Sequence, residues 1–263
     1  MAKIRLDTLL AQRGHFTSRA RAAASVMAGE VRVGEAATER ARKPGQMVAE
    51  DVALAVDEAP RFVSRGGIKL ANALDATGLD PEGRQCLDVG ASTGGFTDCL
   101  LQRGAVHVTA ADVAYGELDW GLRNDERVTV LERTNARNLT PEQLPAAPDL
   151  IVADVSFISL TKVLPAVLAC AAPRFDALVM VKPQFELGRR RVKGGVVRNP
   201  ADRREAIELV AGAAQRAGAS VLGFASSGLP GPKGNQETFA HLAEPGRPGA
   251  LTDLAAAALA VDP

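Results

Sequence analysis

One stretch, from Cys86 to Thr97, constrains the fold of this chain more than any other. It reads Cys-Leu-Asp-Val-Gly-Ala-Ser-Thr-Gly-Gly-Phe-Thr: a short apolar run, a glycine-rich turn and the start of a helical pattern. A buried strand that ends in a glycine turn and enters a helix exposes backbone N–H groups at the carboxyl edge of a parallel sheet. Doubly wound α/β folds bind nucleotides at that edge, so the stretch predicts a nucleotide-like cofactor site.

Three kinds of loop share this pattern, and the residues separate them in part. A phosphate-binding loop ends in Gly-Lys-Ser/Thr, but here Phe96 follows the last glycine, which excludes it. A nucleophile elbow, Gly-x-Ser-x-Gly, is matched by Gly90, Ser92 and Gly94. The third kind binds S-adenosylmethionine and has an acidic residue just before the first glycine, which is Asp88 in this chain.

A second carboxylate favours the cofactor loop without excluding the elbow. The next apolar run, from Val106 to Val113, contains Asp112 near its end, from where an acidic side chain can reach ribose hydroxyls. Two carboxylates about twenty residues apart, each at a strand end, are a stronger signal than one glycine loop. The elbow would make Ser92 a nucleophile, with His241 and a downstream aspartate as its partners.

Strand and helix patterns alternate through the rest of the chain, as a parallel sheet requires. Besides the strand before the glycine turn, strands are predicted over residues 106–113, 128–133, 149–155, 177–181, 220–225 and 238–242. Helices are predicted over residues 68–77, 116–123, 159–170, 201–217 and 250–260. The fold class is therefore α/β, with a seven-stranded, Rossmann-like sheet of the class I methyltransferase type.

Four ionisable side chains are expected at the carboxyl edge of that sheet. Asp154 and Lys182 end two of its strands. Glu237 precedes the last strand, and Lys69 falls in the first turn of the predicted helix 68–77. A lysine beside another cation can lose its proton and act as a base, as methylation of a hydroxyl requires. Two structural ion pairs, Lys69 with Glu237 and Asp154 with Lys182, are the alternative interpretation.

The first 59 residues have a different pattern, two short helices and a small sheet. Helices are predicted from Leu6 to Gly14 and from Ser18 to Gly29, and strands over 31–33 and 52–56. Together with the Ser-Arg-Ala and Val-Arg-Val-Gly segments, this pattern resembles the RNA-binding domain of the fourth small-subunit ribosomal protein and of pseudouridine synthases. We therefore expect a small α+β RNA-binding domain over residues 1–59, a linker over 60–65 and the methyltransferase domain over 66–263.

Charge is locally uneven although the chain is neutral overall, with 31 basic and 31 acidic residues. Residues 1–45 carry nine Lys or Arg against four Asp or Glu, and residues 182–204 carry eight against two. Two local basic surfaces suggest contact with a phosphate backbone, although solvated faces are the alternative. The three cysteines lack metal-ligand spacing, so no metal is expected. No segment approaches the length of a membrane span, so we expect a cytoplasmic protein without membrane insertion.

Four motifs together resemble the TlyA family, which joins such an RNA-binding domain to an FtsJ-like methyltransferase domain. They are the glycine-rich stretch, Asp-Val-Ser-Phe-Ile-Ser-Leu from Asp154, Lys-Pro-Gln-Phe-Glu from Lys182, and Gly-Pro-Lys-Gly-Asn-Gln-Glu ending at Glu237. The resemblance implies 2′-O-methylation of cytidines in 23S rRNA, with 16S rRNA as a second candidate. It implies S-adenosyl-L-methionine as cofactor and a catalytic tetrad of Lys69, Asp154, Lys182 and Glu237.

The same resemblance assigns the cofactor-binding residues, whereas the candidate RNA contacts follow from the local basic surfaces and the first domain. The cofactor pocket would be lined by Asp88, Gly90, Ala91, Ser92, Gly94, Gly95, Phe96, Asp112, Val113, Asn135, Ala136 and Asp154. The candidate RNA contacts are Arg5, Arg13, Arg19, Arg21, Arg32, Arg65, Arg189 and Arg190. Ribosomal RNA or ribosomal subunits are the expected partners, with no obligate protein partner. Some family members are called haemolysins, but the sequence offers no insertion segment, so any lytic effect would be indirect. An inactive ribosome assembly factor is the non-enzymatic alternative.

Overall fold

The computed structural model describes residues 3–57, 61–188 and 190–262. The chain divides into two compact units, Met1–Pro60 and Arg61–Pro263, and the core clusters fall within one unit or the other. Among the described residues, no helix has both the length and the apolar character needed to cross a bilayer.

The first unit contains two helices and two small antiparallel sheets. Leu6 and Leu10 of one helix pack with Val26 of the other and with Val31 of a strand to form its core. One sheet pairs β1 with β4, and the other has the order β3-β2-β5. The elements are β1 (Lys3–Arg5), α1 (Leu6–Gln12), α2 (Arg19–Ala28), β2 (Val31–Val33), β3 (Glu39–Arg40), β4 (Met47–Ala49) and β5 (Leu54–Val56).

The predicted bounds of the second helix are confirmed by its caps. The side chain of Ser18 accepts a hydrogen bond from the backbone N–H of Arg21 at 3.2 Å, which satisfies a free donor of the first turn. Gly29 ends the helix in the left-handed conformation, with φ of 78°. The prediction missed β1, β3 and β4, which have only two or three residues each and lack the apolar–polar–apolar pattern of Val31–Val33.

The second unit is built on the predicted seven-stranded sheet, with the order β11-β12-β10-β9-β6-β7-β8. Five strands are parallel, whereas β12 runs antiparallel to both β10 and β11. The strands are β6 (Gln85–Val89), β7 (His107–Ala111), β8 (Val128–Leu131), β9 (Leu150–Ala153), β10 (Asp176–Val181), β11 (Ser220–Ser226) and β12 (Thr238–Ala243). The helices are α3 (Arg65–Thr77), α4 (Gly95–Gln102), α5 (Trp120–Arg123), α6 (Leu164–Ala169), α7 (Pro183–Glu186), α8 (Pro200–Arg216) and α9 (Leu254–Val261).

Two hydrophobic clusters form the core of this unit. All six residues of β10 are buried, as expected for a central strand covered on both faces. Alternate residues of one strand enter different clusters: Val179 belongs to one, and Leu178 and Met180 to the other. The carboxyl ends of β6, β7, β9 and β10 therefore meet at one edge of a rigid sheet.

Three element bounds differ from the prediction for local reasons. Helix α3 begins at Arg65, because Ser64 caps it by accepting from Gly66 N at 3.3 Å, so Lys69 lies in its second turn rather than its first. The predicted helix 159–170 is a short 3-10 turn followed by α6, with a proline in the first turn of α6. The helix predicted over 116–123 covers only α5, which Asp119 caps.

Residues 61–65, predicted as linker, pack within the second unit. The backbone N–H of Val63 donates to Asp98 Oδ2 at 2.8 Å, and Gln102 Nε2 donates to the carbonyl of Arg61 at 2.9 Å. The buried ring of Phe62 lies where a Cβ on Gly67 would approach it to 2.3 Å. Pro60 lies outside the described residues, so the described part of the predicted linker is the entry to α3.

Candidate active site

The glycine-rich loop after β6 brings two strand ends into contact. Gly90 has φ of 86°, and its N–H donates to the carbonyl of Ala111 at 2.8 Å. A Cβ at Gly90 would lie 2.6 Å from the carbonyl oxygen of Asp154, which follows β9. A larger residue would therefore push apart the ends of β6 and β9, so the loop requires glycine here on both conformational and steric grounds.

The following glycines allow the loop to pack against its neighbours. Gly94 has φ of 97°, and a Cβ there would lie 2.3 Å from Leu122. A Cβ at Gly95 would lie 2.1 Å from the hydroxyl of Ser64, which caps α3. Gly95 lines the larger of two cavities at this edge, whereas Gly94 lines neither. Gly94 was predicted as a cofactor contact, and the structure gives it a packing role instead.

Two neighbouring cavities of about 650 and 440 Å³ open at the carboxyl edge. Both volumes fall in the range typical of small-ligand sites. The residues that line both cavities come from the loops after β6 and β9, and they are Gly90, Ser92, Asp154, Ser156 and Phe157. The larger cavity is also lined by Ala91, Gly95, Phe96 and the other three residues of the predicted tetrad. The smaller cavity is also lined by Asp112, Val113, Asn135 and Ala136.

In the smaller cavity, the carboxylate of Asp112 is held by backbone N–H groups. Asp112 Oδ2 accepts from Ser92 N, and Oδ1 accepts from Ala114 N, both at 2.8 Å. Asn135, also on this wall, begins a 3-10 turn and accepts from Arg137 N at 3.1 Å. Exposed oxygens fixed in this way can accept hydrogen bonds from the hydroxyls of a sugar.

Asp88 was predicted to line the cofactor pocket, and the structure places its side chain outside both cavities. Its side chain is fully buried, lines neither cavity, and accepts from Thr97 Oγ1 at 2.7 Å within the same strand–turn–helix segment. Burial, opposed by the Thr97 hydrogen bond, raises the pKa of this carboxyl to about 7. Asp88 therefore ties β6 to α4 beneath the loop.

The raised pKa of Asp88 predicts a pH-dependent stability. Between pH 4 and 7 the folded state keeps this proton while the unfolded state releases it, so the contribution of Asp88 to the free energy of unfolding falls as pH rises. Asp88→Asn should flatten this part of the stability curve. Urea unfolding at pH 4.5, 6 and 7.5 measures it, and parallel curves for the two proteins would contradict the assignment.

The four predicted catalytic side chains all line the larger cavity. Lys69 pairs with Glu237, and Lys182 pairs with Asp154. Lys69, Glu237 and Lys182 are all at least 90% buried. Buried ion pairs are costly to desolvate and contribute little net stability, so two of them side by side at a cavity wall are poorly explained by stability alone.

Several residues at this edge were not predicted. Lys182 Nζ also donates to Ser156 Oγ at 2.9 Å. The buried side chain of Asn235 donates to Gly195 O and accepts from Val197 N, at 2.8 and 2.9 Å, which joins two loops of the cavity wall. Gln184 lines the same wall. Ser156 and Gln184 each lie two residues after a predicted tetrad residue, and that position was the signal available in the sequence.

An exposed aromatic side chain lies at the mouth of both cavities. Phe157 is 92% exposed and has φ of 63°, an uncommon conformation for a bulky residue. Its ring centroid is 5.3 Å from that of Phe185, which follows β10. A large apolar ring held in solvent beside a cavity offers a face on which a planar ligand can stack.

The hydrolase alternative is contradicted by the arrangement of its residues. Ser92 Oγ lies 3.3 Å from Glu117 at the carboxyl edge of the sheet. His241 Nε2 is bonded at 3.0 Å to Asp176, the residue that begins β10 at the opposite edge. A nucleophile and its base must be within hydrogen-bond reach, so these residues form no triad.

The arginines predicted to bind RNA in the first unit differ in their surroundings. Arg5 pairs with Asp7, and Arg32 with Asp57, while the guanidinium of Arg13 donates to backbone carbonyls. Arg19 is exposed and lies 3.7 Å from the same Asp7, and the side chain of Arg21 is exposed. These two exposed residues both lie in the first turn of α2, separated by Ala20.

Fewer cations of the basic segment 182–204 are available to contact RNA than its composition suggested. Lys182 lies in the active-site cavity, and Arg203 forms a buried pair with Asp262 at 2.5 Å. Arg191 pairs with Glu205 on α8. Arg190 is exposed, and Arg65 is exposed while donating to Pro230 O at 3.3 Å. Arg189 was also predicted to bind RNA and lies outside the described residues.

Comparisons with known sequences find methyltransferases. The family model described as FtsJ-like methyltransferase matches residues 62–244. The 16S/23S rRNA (cytidine-2′-O)-methyltransferase TlyA of Mycobacterium tuberculosis is 51% identical over 91% of this chain and 90% of its own length.

Solved structures show the same architecture. One protein, from Streptococcus thermophilus and labelled a hemolysin, is 38% identical with a TM-score of 0.73, covering 99% of this chain and 96% of its own. A Mesorhizobium loti S-adenosylmethionine-dependent methyltransferase, 13% identical with a TM-score of 0.50, covers 67% of this chain and 98% of its own and shares the fold. With the family model and the high identity to TlyA, these findings show that the chain belongs to the TlyA family of FtsJ-like methyltransferases.

Proposed function

We propose that this protein is an S-adenosylmethionine-dependent 2′-O-methyltransferase that acts on cytidines of ribosomal RNA. The observation that carries the proposal is the pair of Lys–carboxylate contacts at the wall of the larger cavity, one buried and the other partly exposed at Asp154. The printed activity of the Mycobacterium tuberculosis relative supports the substrate class. The proposal places the enzyme in the cytoplasm, where ribosomes are found.

The residues around the two cavities suit this cofactor. Asp112 and Asn135 would hold the ribose of the nucleoside, and Val113 and Ala136 would contact its base. Backbone groups of the Gly90 loop would face the amino-acid part. When bound, S-adenosylmethionine supplies an electrophilic methyl group on a sulfonium centre.

The tetrad would prepare the hydroxyl that accepts the methyl group. A ribose hydroxyl is a weak acid, so transfer requires a group that takes its proton and positive charge that favours the alkoxide. Lys182 would orient the hydroxyl and receive its proton at Nζ, with Asp154 fixing that nitrogen. The Lys69–Glu237 pair would add charge to the same cavity and set the protonation of its neighbours.

RNA would be held by exposed cations outside the tetrad. In the first unit we assign this role to Arg19 and Arg21, and more weakly to Arg5, Arg13 and Arg32, which have local partners. In the second unit we assign it to Arg65 and Arg190. The target cytidine would leave its stack to enter the cavity, as enzymes that modify buried nucleotides require.

Phe157 should contribute to binding of the extruded nucleotide. Phe157→Ala is expected to raise KM for the RNA roughly tenfold, since base–aromatic stacking contributes about 1–3 kcal/mol, and to leave cofactor affinity unchanged. Steady-state methyl transfer at varied RNA concentration, with calorimetry for the cofactor, measures both. Leu259→Ala, at an exposed apolar position on α9 outside both cavities, is the control. Equal KM values for the two variants would contradict this role.

One experiment tests the whole proposal. Purified small and large ribosomal subunits that lack the modification are incubated with the enzyme and tritiated S-adenosylmethionine, and the labelled ribose is then mapped. We expect label at a cytidine 2′-oxygen in at least one subunit. Cofactor binding without transfer to either subunit would instead support an assembly factor with an inactive site.

A further inference from the structure

We propose that Ser156 is a positioning residue, which fixes the direction in which the Lys182 amino group meets the substrate hydroxyl. The two residues are brought together by neighbouring strands, because Ser156 lies three residues after the end of β9 and Lys182 directly follows β10. Their contact, Nζ to Oγ at 2.9 Å, has the normal length of a hydrogen bond. This inference rests on the proposed function, in which Lys182 handles the proton.

The geometry of an ammonium group gives this contact a consequence. A lysine Nζ has three hydrogen-bonding directions, which rotate freely when only one of them is fixed. Ser156 accepts one of these hydrogen bonds, and the carboxylate of Asp154 holds the same nitrogen through an ion pair. The two contacts together restrict the rotation of Nζ, and Lys182 lines the cavity in which the substrate would lie. The ion pair alone would hold the nitrogen without fixing that rotation.

The surroundings of Ser156 indicate that its role is local. Ser156 is exposed and lines both cavities. Its hydroxyl could therefore bond to water instead of Lys182, and truncation of the side chain would remove no core packing. Buried Val155 and Leu160 anchor the same loop on either side. Glu186 reinforces it by accepting from Leu160 N at 2.9 Å. Removing one exposed hydroxyl should therefore leave the loop in place.

The test compares Ser156→Ala with Ser156→Thr, which keeps the hydroxyl. For the alanine variant we expect kcat at the pH optimum to fall roughly tenfold, in line with the loss of orientation, while KM for RNA and calorimetric cofactor affinity stay within about twofold. The threonine variant should resemble the wild type.

The outcomes separate this inference from the proposed function. If the wild-type protein transfers no methyl group to either ribosomal subunit, the proposed function fails. If the wild type is active and Ser156→Ala keeps its kcat, the positioning role is overturned. A loss of kcat that is accompanied by a lower melting temperature, or that Ser156→Thr shares, also overturns it, because that pattern reports a structural role.

Discussion

Replacing Lys182 by alanine is expected to reduce methyl transfer by roughly a thousandfold, which is the range typical of a removed general base. Cofactor affinity should change little, because the residues assigned to the nucleoside line the other cavity. Lys182→Arg should be nearly as inactive, since a guanidinium keeps the charge but does not give up its proton. Tritiated methyl transfer to ribosomal subunits measures activity, and calorimetry measures cofactor binding.

A surface lysine provides the matched control for this experiment. Lys193 is exposed and lines neither cavity, so Lys193→Ala should retain activity on the same RNA. Full activity of Lys182→Ala would remove the tetrad from the mechanism. Loss of cofactor binding together with activity would place Lys182 in the cofactor site instead of at the substrate hydroxyl.

The second large effect concerns the Lys69–Glu237 pair. Lys69→Met leaves the buried carboxylate of Glu237 without its cation, which is expected to lower the free energy of unfolding by about 3–5 kcal/mol. The double variant Lys69→Met/Glu237→Gln removes both charges and should recover most of that stability. Methyl transfer should be lost in the single variant and stay lost in the double variant. Chemical denaturation and the methyl-transfer assay give the two readouts.

This pair of variants separates a catalytic role from a structural one. If the double variant regains activity along with stability, the Lys69–Glu237 pair serves the fold alone. Arg203–Asp262 is a matched buried pair outside the two active-site cavities. Asp262→Asn should lower stability in the same way while the folded enzyme keeps its activity.

Strand-end residues were the most predictable part of the site. Asp112, Asp154 and Lys182 each lie at or just after the end of an apolar run, and right-handed parallel connections bring such ends to one edge of the sheet. This topological rule needs no knowledge of side-chain contacts. From the sequence alone, it therefore located the edge of the sheet at which the candidate site lies, together with two of the four predicted tetrad residues.

Which way a side chain faces was less predictable. Asp88 also lies at a strand end, but its carboxyl turns beneath the loop to Thr97, and a strand buried on both faces has no polar alternation to reveal this. Arg203 looked like part of a basic surface, but its partner Asp262 comes from 59 residues later in the chain. Long-range pairs of this kind depend on packing that no local pattern records.

The insertion of β12 between β10 and β11 has a consequence for synthesis of the protein. Glu237, at the entry to this strand, meets Lys69 across 168 positions of the chain. A nascent polypeptide must therefore extend beyond its penultimate strand before the two can meet. Products of premature termination upstream of Glu237 would carry the glycine-rich loop but no complete reaction centre.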